Sequence, residues 1–178
     1  MTTPFGAASS SLVDRMRGAA LLDVATYESV EHDTSATGQA AVVVALAAVA
    51  AAIGSIFRGG PGLFGGLVAY LVGWVLWSGI VYLVGTRVFG GTASWGELLR
   101  TLGFAQAPAV FLALGFIPVV GWVVRLVVGI WLLATTLVAI RQALDVTTGK
   151  AALTAVVGWA ASIVVNFLVG GLLGIPVR

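Results

Sequence analysis

Charged residues are scarce in this chain. Only 9% of its 178 residues are Asp, Glu, Lys or Arg, where a soluble domain carries about 25%. So few charges cannot clothe a surface that faces water, which excludes an ordinary soluble domain. Cysteine is absent, and His32 is the single histidine. Disulfides and thiolate-ligated metal or haem sites are thereby excluded. The net charge is only +2, and no basic patch is interleaved with aromatics, so no nucleic-acid partner is expected. Residues 1–33 are mixed and polar. They lack the basic start and early apolar core of a secretory signal.

Apolar surface is what the chain has in excess: 60% of the residues are hydrophobic and the mean hydropathy is +1.08. Charges divide it into long uncharged intervals. There are 24 residues between Asp33 and Arg58, 28 between Arg58 and Arg87, and 24 between Arg100 and Arg125. A further 15 lie between Arg125 and Arg141, and 27 between Lys150 and Arg178. A spanning helix needs ~20 apolar residues, because a rise of ~1.5 Å each must cross ~30 Å of hydrocarbon. The 15-residue interval suffices once Arg125 lies inside the span, and Pro118 with Gly121 offers a turn ahead of it. The expected fold is therefore all-α, a multi-pass transmembrane helical bundle of five spans at about 38–57, 66–86, 100–117, 119–141 and 151–174. Residues 1–33 are expected to form a cytoplasmic N-terminal segment with short interfacial helices, and 34–178 the membrane domain.

Local signals refine this plan. Asp33 or Thr34 is placed to cap the first span. Ala41, Ala45, Ala48 and Ala52 would give it a face of small side chains for close helix packing. Pro108 lacks a backbone donor and should kink the third span. Pro118 should end it, since the residue before proline avoids helical geometry. In the fifth span, small and polar residues recur every four positions at Thr154, Gly158, Ser162, Asn166, Gly170 and Gly174. Gly158, Ser162 and Gly170 are the expected helix-packing positions. With the N-terminus inside, the inner segments hold Arg15, Arg17, Arg87, Arg100, Arg141 and Lys150. The outer segments hold Arg58 and Arg178, with Arg125 just within the outer boundary. That distribution follows the positive-inside rule and sets the N-terminus in the cytoplasm and the C-terminus outside.

Little of the sequence carries chemistry. Glu28, Glu31 and His32 fall at i, i+3 and i+4, so a helix places them on one face. Carboxylates with imidazole can bind metal, and bundle sites use Glu-x-x-His spacing. Here the spacing is Glu-x-x-x-His with one histidine, so a solvated helix face is expected, with no metal and no cofactor. Arg125 is a charge within a span, at a cost of about 2.5–3.5 kcal/mol if it lay at mid-bilayer. Its long stem is expected to snorkel to the outer headgroups. Gln39, Gln106, Gln142 and Asn166 are expected to fasten helices together. Gln106, beside Pro108, is also the best candidate to line a polar cavity. No nucleophile–base pair, phosphate-binding glycine loop or metal quartet can be assembled, so no enzymatic activity is expected.

Two stretches, IWLLATTLVAIRQALDVTTGKAALTAVV and LRTLGFAQAPAVFLALGFIPVVGWVV, resemble spans of the Yip family, the Ypt/Rab-interacting five-span membrane proteins. DVATYESVEHDTSATGQA is similar to the segment ahead of the first span in its bacterial and archaeal members. The resemblance covers most of residues 15–165 and implies five spans, a cytoplasmic N-terminus and a prokaryotic cell membrane. Eukaryotic members are associated with Rab-type GTPases and vesicle traffic.

The expected function is a non-enzymatic scaffold or adaptor in the lipid bilayer, binding a cytoplasmic or membrane protein in membrane organisation or trafficking. The candidate partner-binding residues are Tyr27, Glu28, Glu31 and Asp33, with Tyr27 as the anchor. The alternative is a small-solute transporter or channel, working as a homo-oligomer, with Gln106, Arg125 and Asn166 as its intramembrane polar groups.

Overall fold

The computed structural model describes residues 11–56 and 62–172, with side chains as far as residue 164. Every regular element among the described residues is helical. Two short helices, α1 (Leu12–Ala20) and α2 (Val24–His32), precede the apolar part. Then follow α3 (Ala36–Gly54), α4 (Gly62–Arg87), α5 (Trp95–Phe104), a 3-10 helix (Ala107–Phe116), α6 (Val120–Leu144) and α7 (Thr148–Leu172).

The starts of the short helices are written in their capping residues. Ser11 and Asp14 form a reciprocal capping box ahead of α1. Asp23 accepts from the Thr26 N–H at 3.1 Å and starts α2. Ser94 and Glu97 form a second capping box ahead of α5. Asp33 acts differently from the expected cap. It accepts from the Ser35 N–H at 3.0 Å, one residue before α3, and so fixes the turn rather than the helix end.

Three helices are long and apolar enough to cross a membrane: α3, α4 and α6. The pair of α5 and the 3-10 helix meets the same test jointly, bent by 41° at the break. The backbone of α7 is helical for 25 residues, and it is apolar over Thr148–Val164. The bend has the expected cause and an added consequence. Pro108 cannot donate, and beyond Gln106 the backbone tightens, so that the Ala109 N–H bonds the Gln106 carbonyl. The Ala105 carbonyl is thereby left over. The Thr135 hydroxyl of α6, fully buried, lies 2.8 Å from it as its nearest acceptor. Ile117, just ahead of Pro118, is extended and ends the segment.

The small face of α3 includes Ala48 of the expected set but not its other three members. Ala36, Ala40, Val43, Val44, Ala47 and Ala48 are buried, whereas Ala41, Ala45 and Ala52 are half-exposed. Gly103 of α5 and Gly54 at the end of α3 make this contact close. A Cβ on Gly103 would meet the Ala40 Cβ at 2.7 Å, and one on Gly54 would meet the Leu112 carbonyl oxygen at 1.9 Å.

The largest apolar core lies at the end of the bundle where α1 and α2 sit. Ala19, Tyr27 and Val30 join Leu98, Leu102, Phe104, Ala139, Ile140 and Leu144 in one buried cluster. Residues ahead of the first span thus pack into the same core as the spans themselves. Elsewhere large apolar side chains point outward along α4, α6 and α7, among them Phe64, Leu76, Ile130, Leu133 and Trp159. That surface suits hydrocarbon, not water.

Candidate functional site

The charged end of the bundle is assembled from α1, α2, the start of α5, the end of α6 and the turn into α7. Three cations there perform three structural tasks. Arg15 of α1 is paired with Asp33 at 2.6 Å and donates to Gln39 of α3 at 3.1 Å. Arg100 of α5 is only 6% exposed. It donates to the Val30 carbonyl at 3.0 Å and to the Glu31 carbonyl, two acceptors left free by the end of α2. A cation there also opposes the negative pole of the helix dipole. Lys150 of α7 donates to the Phe89 carbonyl at 3.2 Å and ties down the loop after α4. The same loop is held by Thr92, whose N–H bonds the Leu144 carbonyl and whose hydroxyl bonds Asp145.

Aromatic side chains do for α1 what Arg100 does for α2. The Tyr27 hydroxyl lies 3.1 Å from the Ala19 carbonyl and 3.3 Å from the Thr135 carbonyl. Trp131 of α6 donates to the Ala20 carbonyl at 2.7 Å. Ala19 and Ala20 belong to the last turn of α1. Tyr27 is fully buried, and burial pushes its hydroxyl well above the usual phenol range. The residue expected to anchor a partner thus has its ring in the core and its hydroxyl engaged inside the cap.

The other three residues expected at a partner surface divide among themselves. Glu28 is exposed and accepts from the Gln142 side-chain amide of α6 at 2.6 Å. Asp33 is held at about 2, first by the Ser35 hydroxyl and then by Arg15. Glu31 is turned inward, 7% exposed. Its carboxyl is pushed up to about 7, chiefly by burial and then by the charges of Asp145 and Glu97. His32 is exposed, with Nδ1 2.9 Å from the Glu28 carbonyl; that bond, followed by the charge of Glu31, raises its pKa. Glu28, Glu31 and His32 each place one ligand atom within 4.8 Å of the others.

The residues expected within the membrane are placed apart from this cluster. Gln106 stands at the bend and accepts from the Tyr70 hydroxyl at 3.3 Å. Arg125 lies near the start of α6 and donates to the Gly115 carbonyl at 3.3 Å. It lines a cavity of about 340 Å³ with Gly54, Pro118, Gly121 and Trp122. Gly158 is buried, and a Cβ there would meet Trp77 of α4 at 3.5 Å and Ile80 at 3.7 Å. The Ser162 hydroxyl donates to the Trp159 carbonyl at 2.7 Å. The side chain of Asn166 and positions 170 and 174 of the stripe lie outside the described residues.

Arg100 and Trp131 were not singled out by sequence reasoning as joints of the structure. A charge three residues after a capping box, among apolar neighbours, and a tryptophan far from either span end were the signals available.

Long apolar helices with outward apolar side chains, closed at one end by a charged, hydrogen-bonded cap, define an integral membrane protein of the helical-bundle class. The Yip1 domain family model matches residues 24–170. The chain belongs to that family, whose members are generally non-enzymatic membrane proteins. No curated protein and no solved structure matches it.

Proposed function

We propose that this protein is a five-span scaffold or adaptor of the Yip type, with its N-terminus and charged end in the cytoplasm and its C-terminus outside. On this reading α7 is a span, and the bent pair of α5 and the 3-10 helix is another. The observation that supports a docking role is the rigid cap. The short helices α1 and α2 are fixed to α3, α5 and α6 by Arg15, Tyr27, Arg100, Trp131 and Gln142. Around these joints the cap leaves Asp23, Glu28, Arg17, Arg87, Arg141 and Lys150 exposed. A mixed-charge surface on a fixed scaffold favours specific orientation of a protein partner, because opposed charges set register and reject mismatches. Glu28 is the residue of the expected set best placed to take part.

The test has two arms. A reporter in the 145–150 turn should behave as cytoplasmic, and one after the last residue as extracytoplasmic. Co-purification in mild detergent should then show a partner that is lost on Glu28→Lys or Arg141→Glu while insertion is unchanged. The transporter alternative draws on Gln106 and Tyr70, a polar pair at the broken helix. It takes the scaffold's place if the partner profile survives both substitutions and Gln106→Leu abolishes a solute flux in proteoliposomes.

A further inference from the structure

The corner between α1 and α2 shows apolar side chains outside the long apolar helices. Val13, Leu21, Leu22 and Val24 are exposed, Leu21 by 65%. Val13, Arg17 and Leu21 recur every four residues, so one exposed face of α1 sets a cation between two apolar groups.

This corner does not stand clear of the bundle. The Ala20 carbonyl accepts from Trp131 at 2.7 Å, and the Tyr27 hydroxyl reaches the Thr135 carbonyl at 3.3 Å. Along α6, Thr135 and Trp131 lie six and ten residues from exposed Arg141 (141 − 135 and 141 − 131), or about 9 and 15 Å at ~1.5 Å per residue. The corner therefore sits well down the helix, at the level of the outward Ile130 and Leu133.

Its backbone is closed to solvent. The Asp23 N–H bonds the Gly18 carbonyl at 2.9 Å, and the Leu22 N–H bonds the Ala19 carbonyl at 3.1 Å. The Leu21 N–H takes the Arg17 carbonyl, and Trp131 takes that of Ala20. At an ordinary surface helix end, water satisfies several of the last four carbonyls. Here all of them have donors from the chain, which is the condition for backbone to lie in lipid. Leu22 stands in the left-handed position of this turn, with φ 62°, where glycine is usual. An exposed apolar side chain is thus held in a conformation that strains it.

We propose that the α1–α2 corner inserts into the lipid leaflet at the charged end, as a wedge of Leu21, Leu22 and Val24 with Arg17 at the phosphates. The apolar surface of the corner continues the outward apolar surface of α6, and the neighbouring cation matches phosphodiester headgroups. Asp23 sets the depth. It is exposed and accepts from the Thr26 hydroxyl at 2.6 Å, and a carboxylate there keeps the corner at the boundary of headgroups and acyl chains, short of the bilayer centre. Insertion requires α6 to be a span. It requires neither a docking partner nor a particular orientation.

The chain has no cysteine, so single cysteines report without background. Leu21→Cys, Val24→Cys, His32→Cys and Leu133→Cys, all at exposed positions, are each labelled with a nitroxide. The full chain is reconstituted in vesicles of phosphatidylcholine and phosphatidylglycerol. Collision of the label with oxygen and with a water-soluble nickel chelate is read by electron paramagnetic resonance. Labels at 21 and 24 should favour oxygen, as at 133, at a depth of about 5–10 Å, and the label at 32 should favour nickel. A nickel preference at 21 and 24 equal to that at 32 would overturn the insertion. Shielding of 21 and 24 from both reagents would overturn it too, since protein, a second copy included, would then cover the corner. A nickel preference at 133 as well would overturn both the insertion and the reading of α6 as a span.

Discussion

At the charged end, side chains close the bundle by reaching for backbone. Arg100 takes carbonyls of α2, Trp131 and Tyr27 take carbonyls of α1, and Arg15 bridges Asp33 and Gln39. At the opposite end, backbone meets backbone. Gly54, Gly115 and Gly121 bring α3, the 3-10 helix and α6 together, and a Cβ on Gly121 would stand 2.3 Å from the Gly115 carbonyl oxygen. The difference follows from the solvent. Where the chain meets water, helix ends can be satisfied by long polar side chains. Within lipid no hydrophobic force draws one helix to another, so association depends on close packing of small residues.

The comparison is tested most strongly by Arg100→Leu. The substitution strands two carbonyls at the end of α2 in a buried setting, and hydrogen bonds to a charged donor are the strong ones. A loss of about 3 kcal/mol is expected in detergent unfolding, with α2 released first in hydrogen exchange. Little change would mean that the core around Tyr27 and Val30 holds the cap unaided.

Next comes the glycine end. Gly54→Ala should cost about 2 kcal/mol, because the added methyl meets a carbonyl and not a flexible tip. Gly129→Ala, with nothing within 4 Å of its Cβ, is the control and should be neutral or slightly stabilising. Equal melting temperatures for the two variants would show that backbone proximity does not govern the far end. Thr135→Val lies between the two ends and should cost about 1–2 kcal/mol, since it strands the Ala105 carbonyl beside the proline break.

These sites differ in how visible they were in advance. Apolar intervals between charges located the helices, because lipid imposes length and polarity over ~20 residues at once. Capping boxes and the two prolines located several ends, because those act within a single turn. The burial of Tyr27 is not visible locally, because its neighbours Glu28, Glu31 and Asp33 are polar. Only the tertiary return of α2 against α5 and α6 buries it. The face of α3 matched its expected set only at Ala48 for a related reason. In so alanine-rich a helix, many alignments look alike until the glycines of the facing segments choose one. The Thr135–Ala105 bond links positions 30 residues apart, and no local pattern announces it.

The smallest effect is expected at Arg125. Its guanidinium donates to the Gly115 carbonyl at 3.3 Å, a long contact, and its side chain is only half-buried. It stands within the first two turns of α6, beside Pro118 and Trp122, where a long stem can carry its charge toward the headgroup region. Unlike Arg100, it does not close a buried helix end. Arg125→Leu should therefore shift stability by less than about 0.5 kcal/mol, and Arg125→Lys by less still, since a second long cation can snorkel equally well. The measurement is a paired melt of Arg125→Leu and Arg100→Leu under one detergent. A large loss at both positions would mean that the glycine end is also fastened by charge, and the contrast between side-chain closure and backbone packing would fail. A large loss at Arg125 restored by lysine would point instead to an electrostatic role at the rim of the 340 Å³ cavity, since a lysine keeps the charge but not the planar fork of donors.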